Sequence, residues 1–193
     1  MIDMEKAFKF RIYPNKTQQV LLQKTFGCTR YIYNHFLAKR IVLYKQDKSS
    51  MSYNQCSKEL TVLKQKLTWL KEPDKDALQK SLKDLDVAYK NFFARPEVGF
   101  PRFKSKHDRH KSYRTSYTNG NIKFLGKKIQ LPKLGKVKIK DKRTHLEGRI
   151  LNATVSREPD GKYYVSICCT DVPMAALAPV NHRPRTEGVC YSL

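Results

Sequence analysis

Acidic residues are scarce in this sequence, with 17 Asp and Glu against 39 Lys and Arg among 193 residues. The formal net charge at pH 7 is therefore +22, and the isoelectric point is about 9.9. So few carboxylates argue against an enzyme built on several catalytic acids, and the five histidines are scattered without the spacing of metal ligands. We expect no catalytic residue, no metal, no cofactor, and a partner that is an anion.

Long apolar runs and paired cysteines are missing as well. No run approaches the ~18 residues that a membrane span requires, and the N-terminal MIDMEKAFKF lacks the apolar stretch of a secretory signal. The five cysteines form no C-x-x-C pair, which argues against a zinc ribbon and against a disulfide framework. We therefore expect a cytoplasmic protein with reduced thiols and no membrane partner.

Basic residues concentrate in residues 98–149, which hold sixteen Lys or Arg and three acids and so carry +13 of the net charge. The cations alternate with aromatic residues: Phe100, Phe103, Tyr113, Tyr117 and Phe124. Cations displace counterions from a polyanion and aromatic faces accept stacked bases, so the pattern is typical of a nucleic-acid surface. A solvated basic loop is the alternative interpretation. The candidate contacts to a nucleic-acid backbone are Arg102, Lys104, Lys106, Arg109, Lys111 and Arg114.

The N-terminal third is predicted to be one strand followed by helices. Residues 6–13 alternate apolar and polar side chains, as in a half-buried strand with a basic outer face. A helix from about Thr17 is predicted to end at Gly27, and a second helix is predicted over residues 29–46. These N-terminal helices are the candidate for a helix-turn-helix unit, which is expected within residues 14–97.

Two further helices follow. Ser52 and Gln55 have the spacing of a capping box and place the start of the third helix. The fourth helix is predicted to open near Asp74. Apolar residues recur every three or four positions in both, which predicts that the two helices pack against their neighbours.

After residue 96 the pattern changes to short strands separated by glycine-containing turns. Strands are predicted over residues 113–118, 122–125, 128–131, 137–140, 150–156 and 163–170. We predict an α+β fold, in which a small antiparallel β-barrel carries a helical domain inserted after its first strand. The predicted divisions are residues 1–13 (first barrel strand), 14–97 (helical insertion), 98–171 (rest of the barrel) and 172–193 (linker, or start of another domain).

Collinear segments between residues 6 and 167 resemble the N-terminal half of the TnpB family, the OrfB-type RNA-guided DNA endonucleases encoded by transposons. Those segments are KAFKFRIYPNKTQQ, FGCTRYIYNHFLAKR, DALQKSLKDLDVAYKNFF, GFPRFKSK, SYRTSYTNGNIKF, IQLPKLGKVKIK and ILNATVSREPDGKYYVSI. The resemblance implies a wedge-type barrel split around a helical recognition domain. It also implies two partners, a guide RNA from the transposon end and double-stranded DNA, with the partner transposase involved only indirectly.

The resemblance also implies which residues read a transposon-adjacent DNA motif. The matching positions are Tyr53, Ser57, Lys75, Gln79, Thr118 and Asn119. Their side chains suit base edges or phosphates. Asp76 departs from the family pattern, since relatives can have an aromatic residue there and an acid repels DNA.

Catalysis in that family belongs to a RuvC-like nuclease domain, in which carboxylates hold divalent metal. The resemblance places the start of that domain at Gly188, where Cys190 stands in the position of the first catalytic Asp. A thiol suits Mg²⁺ poorly, because that cation prefers oxygen ligands. We therefore expect a truncated, nucleoid-associated binding protein without nuclease activity. The alternative is a helix-turn-helix, transposase-associated DNA-binding protein that acts without RNA.

Overall fold

A computed structural model describes residues 5–141 and 145–172. The helices in these residues are α1 (Lys16–Asp47), α2 (Tyr53–Lys66) and α3 (Lys75–Ala94), with short 3₁₀ helices at Thr68–Lys71 and Pro96–Val98. The strands are β1 (Lys6–Tyr13), β2 (Lys111–Ser116), β3 (Lys123–Phe124), β4 (Lys128–Leu131), β5 (Gly135–Ile139), β6 (Arg149–Arg157) and β7 (Tyr163–Thr170). The predicted α+β class is confirmed.

Strand β1 lies at the centre of the sheet and matches its predicted bounds. Its side chains alternate, so that Phe8, Phe10 and Ile12 are buried while the residues between them face outward. It pairs antiparallel with β7 along most of its length and with β5 at Ile12 and Tyr13. The strand that precedes the helices thus depends on strands that follow them for its partners.

The seven strands form one antiparallel sheet in the order β2-β6-β7-β1-β5-β4-β3, and this sheet does not close into a barrel. Closure would require β2 to pair with β3, which has only two residues. On the outer edge of β2, the backbone N–H of Ser116 instead donates to the carboxylate of Asp76 on α3, at 2.5 Å. A donor already bonded to a side chain is not free to pair with another strand. The barrel prediction is wrong for this reason.

Helix α1 is continuous, so the two helices predicted on either side of Gly27 are one. A glycine inside a helix costs about 0.5–1 kcal/mol relative to alanine. That is too little to end a 32-residue helix whose Leu22 and Phe36 are fully buried. The helix begins at a capping box, in which the Asn15 side chain accepts from the Gln18 N–H and the Gln18 side chain accepts from the Asn15 N–H.

Helices α2 and α3 begin where the sequence predicted. Ser52 caps α2 in a capping box with Gln55, and Asp74 is the residue before α3. Leu78 and Leu82 of α3 are buried at the predicted spacing.

Two apolar cores hold the structure together, and α1 contributes to both. Leu22 and Phe26, near its start, pack among the sheet residues. Ile32 and Phe36, further along, pack against α2 and α3. Because one rigid helix spans both cores, it fixes the position of the helical layer relative to the sheet.

The thiols of Cys28 and Cys56 are buried, and burial raises the pKa of Cys28 to about 11. Among the described residues, no helix is both long and apolar enough to cross a membrane, and no group of His, Cys, Asp and Glu could hold a metal ion. Cys190 and residues 173–193, where the nuclease-type domain was expected to begin, lie outside the described residues.

Candidate nucleic-acid interface

Three of the predicted DNA-reading residues lie together between α2 and α3. The Tyr53 hydroxyl donates to Oε1 of Gln79 at 3.0 Å, and the Gln79 amide nitrogen donates to Oγ of Ser57 at 3.0 Å. Burial raises the pKa of Tyr53, so its hydroxyl stays protonated at neutral pH. The Lys83 ammonium lies 5.5 Å from the centroid of the Tyr53 ring and adds positive charge. The hydrogen bonds to Tyr53 and Ser57 fix the orientation of the half-buried Gln79 amide.

Two carboxylates at the start of α3 accept hydrogen bonds from β2. Asp74 accepts from the hydroxyl of Thr115 at 2.6 Å, and Asp76 accepts from the N–H of Ser116 at 2.5 Å. Thr115 is 1% exposed, so its hydroxyl depends on this partner. Asp74 precedes the helix but its side chain does not cap it. Both acids thus join the helical layer to the sheet.

The loop after β2 presents the other two predicted residues. Asn121 braces this loop, since its side chain accepts from the Thr118 N–H at 2.7 Å and donates to the Ser116 carbonyl at 3.0 Å. Asn119 has φ of 49°, in the left-handed region that asparagine tolerates better than most residues, and Gly120 follows with φ of 73°. The side chains of Thr118 and Asn119 are exposed.

The two parts of the predicted DNA site are therefore neighbours in space. Lys75 and Gln79 lie one and three residues from Asp76, while Asn119 lies three residues from Ser116. Three residues of extended chain span at most about 11 Å. The Asp76–Ser116 bond thus brings helix and loop together, although about forty residues separate them in sequence. The same bond gives the Asp76 carboxylate, which was expected to repel DNA, a partner within the protein.

A basic cavity of about 510 Å³ lies between α1, α3, β2 and the segment 104–110. Four of the six predicted backbone-binding residues line it, while Arg102 and Arg109 do not. Two further cations line it that the sequence did not single out, Arg30 on α1 and Lys80 on α3. The cations in the wall are Arg30, Lys80, Lys104, Lys106, Lys111 and Arg114, and the acids are Asp84 and Asp108.

The outer wall of this cavity is held against α1 by one asparagine. The Asn34 side chain accepts from the Lys104 N–H at 2.8 Å and donates to the Lys104 carbonyl at 2.9 Å. The Lys104 ammonium lies 4.3 Å from the centroid of the Tyr33 ring, and desolvation by the surrounding protein atoms lowers its pKa. Arg114 bonds to Asp84 at 2.8 Å. The basic segment is therefore ordered here against α1 and α3.

The aromatic residues of the basic stretch divide into two groups. Phe100, Phe103 and Tyr117 are 45%, 56% and 41% exposed, so all three rings are accessible for stacking. Tyr113 is buried, and the Phe124 ring packs 5.4 Å from that of Phe10 in the sheet core. The interpretation of Tyr113 and Phe124 as base-stacking residues is wrong, because their strand positions point them inward.

A family model described as a helix-turn-helix domain, of the OrfB type found in IS605 elements, matches residues 1–49. A Streptomyces pristinaespiralis protein named "Putative RNA-guided DNA endonuclease" is 34% identical over 175 residues, which are 89% of this chain and 43% of that protein. The Escherichia coli K12 protein of the same name, InsQ, is 34% identical over 84% of this chain and 40% of its own length. The chain belongs to the OrfB, or TnpB-like, family. The predicted resemblance is confirmed.

This OrfB-family chain spans about two fifths of the length of those two relatives. It is also 33% identical over 114 residues to "Virulence protein VsdF" of Salmonella dublin, covering 54% of this chain and 96% of that protein. The family match and the relatives support a transposon-associated, DNA-binding part. Residues 5–47, most of the matched region, nevertheless form β1 and one unbroken helix, with no turn at Gly27.

Proposed function

We propose that this OrfB-family chain binds a transposon-adjacent DNA motif at the surface formed by α2, α3 and the loop 117–121. We propose also that its basic cavity and the surrounding cations bind the backbone of a guide RNA from the transposon end. The single observation that carries the proposal is the Asp76–Ser116 bond, because it joins the α3 residues and the loop residues into one surface.

The chemistry of the two surfaces suits these two tasks. An amide that donates and accepts at once matches the pattern that distinguishes adenine in the major groove, and the exposed Asn119 side chain can do both. Beyond its bonds to Tyr53 and Ser57, the Gln79 amide still has one N–H and one oxygen lone pair for such a contact. Lys75, exposed at the start of α3, can reach a phosphate or a guanine edge. The cavity presents mainly point charges, which hold a nucleic-acid backbone without reading its sequence.

We propose further that the chain does not cleave DNA by itself. Its described residues contain no cluster of metal-ligating side chains, and the matched part of the endonuclease-named relatives is well under half of each. The alternative, a helix-turn-helix protein acting without RNA, has the description of the family model in its favour. The unbroken α1 favours the proposal of joint RNA and DNA binding. A helix-turn-helix unit within residues 5–47 would need a turn between two helices, and α1 has none.

The experiment that tests the proposal compares sequence preference with overall affinity. We expect Gln79→Ala and Asn119→Ala to reduce preference for the selected motif by about 5- to 150-fold, the equivalent of a good base contact of about 1–3 kcal/mol. RNA affinity should hardly change. Lys106→Ala should weaken RNA and DNA binding together and leave the preference intact. The matched control is Gln65→Ala, at an exposed position of α2 outside this surface. The proposal would be refuted if Gln79→Ala and Asn119→Ala kept the motif preference of the wild type, as Lys106→Ala and Gln65→Ala are expected to do.

A further inference from the structure

The fold does not require a glycine at position 27. It lies in the interior of α1, where glycine is less favourable than alanine by about 0.5–1 kcal/mol. Apart from its own turn of helix, a Cβ atom built at Gly27 would meet no atom within 4 Å, and φ at Gly27 is not in the left-handed region. Neither close packing nor a left-handed conformation therefore requires glycine. Gly27 is one of the residues that line the basic cavity.

The cavity itself is suited to a small anionic group. Its volume of about 510 Å³ lies within the roughly 300–1,000 Å³ of small-molecule sites. A duplex, whose major groove alone is about 12 Å wide, is too large to enter. One unpaired nucleotide with its phosphate is of the right size.

The charges on the cavity wall are available to such a group. The side chains of four lining cations have no hydrogen-bond or ion-pair partner among the described residues: Arg30, Lys80, Lys106 and Lys111. The Asp84 carboxylate is occupied by Arg114. The residues that line the cavity also include Ser105 and Ser112, which carry hydroxyls, and the apolar Phe26 and Ala77. Phosphate, sugar hydroxyl and base each have a matching surface in one recess.

We propose that this cavity binds one unpaired nucleotide of an RNA strand, and that the missing side chain at Gly27 lets that nucleotide approach the backbone of α1. Close approach of a ligand to the chain is one of the uses of glycine. RNA is favoured over DNA because the serine hydroxyls can bond a 2′-hydroxyl, and because RNA recognition commonly uses unpaired, splayed nucleotides. The inference deepens the proposed function and rests on its RNA-binding part.

The test measures binding of the full chain to an unstructured oligouridine RNA by fluorescence anisotropy. We expect Gly27→Leu to weaken binding at least about tenfold and Gly27→Ala to weaken it less, although alanine should raise the thermal midpoint through its better helix propensity. Arg30→Gln and Lys80→Gln should each weaken binding and lower the slope of log affinity against log salt by about one. Lys45→Gln, an exposed cation in the last turn of α1, is the matched charge control.

Three comparisons make the outcome decisive. Gly27 also borders a smaller recess of about 220 Å³ beside Trp69. Loss of RNA affinity in Trp69→Leu but not in Arg30→Gln would overturn the assignment to the basic cavity. Equal affinity for oligothymidine DNA would overturn the choice of RNA. Unchanged RNA affinity in folded Gly27→Leu would overturn the inference alone, whereas a wild-type chain that binds no RNA would refute the RNA-binding part of the proposed function itself.

Discussion

Substitution of Asp76 tests how the two parts of the proposed DNA-reading surface are held together. In Asp76→Ala the N–H of Ser116 loses its acceptor at the outer edge of β2. An unsatisfied buried donor costs about 1–3 kcal/mol. Since Ser116 is only half buried and water can partly replace the carboxylate, we expect the lower part of that range, about 1 to 2 kcal/mol.

The conservative variant separates the hydrogen bond from the charge. Asp76 lies in the first turn of α3, where a negative charge also interacts with the helix dipole by about 0.3–1 kcal/mol. Asp76→Asn keeps an acceptor oxygen for the Ser116 N–H but removes that charge. We therefore expect Asp76→Asn to lose less stability than Asp76→Ala. We expect Asp74→Ala to lose about as much stability as Asp76→Ala, because it leaves the buried Thr115 hydroxyl without its acceptor.

The assay pairs urea unfolding with DNA selection. Unfolding gives the stability difference, and the preference for the selected motif reports the placement of Lys75 and Gln79 relative to Asn119. We expect Asp76→Ala to lose motif preference while retaining RNA affinity at temperatures where it is folded. Equal stability and equal motif preference in Asp76→Ala and wild type would show that this bond does not position the surface.

Two further predictions follow, one from the charge of residues 98–149 and one from the proposal that this chain does not cleave DNA by itself. Affinity for structured RNA and duplex DNA should fall steeply with salt, because the +13 carried by residues 98–149 displaces many counterions, and a flat salt titration would contradict this. The purified chain should not cut duplex DNA in Mg²⁺ or Mn²⁺, with or without RNA from the transposon end, and guide-dependent cuts seen on a denaturing gel would refute that expectation.

Local patterns predicted local structure well. The alternation in β1 and the Ser52–Gln55 spacing are short-range signals, and each depends on contacts within a few residues. Gly27 misled the prediction because its helix cost is small beside the burial of the apolar residues around it. The Asn15–Gln18 capping box carried the same kind of signal as the one at Ser52 and would have placed the start of α1.

The contacts between residues far apart in the sequence could not be predicted from local patterns. The open edge of β2 depends on a bond between Asp76 and Ser116, and no periodicity in either segment reports it. The same holds for Arg30 and Lys80, which reach one cavity from two helices. The six DNA-site positions came from the family resemblance, and the structure shows that Tyr53, Ser57 and Gln79 contact one another.

The most direct test of the central claim is the DNA preference of Asn119→Ala in the full chain, measured by selection from a randomised duplex library together with RNA from the transposon end. Asn119 lies outside α2 and α3, on the loop that the Asp76–Ser116 bond brings to them. If helix and loop form one reading surface, Asn119→Ala should lose preference at one or two base positions by about 1–3 kcal/mol while its RNA affinity is unchanged. A selected motif identical to that of the wild type would contradict a shared surface.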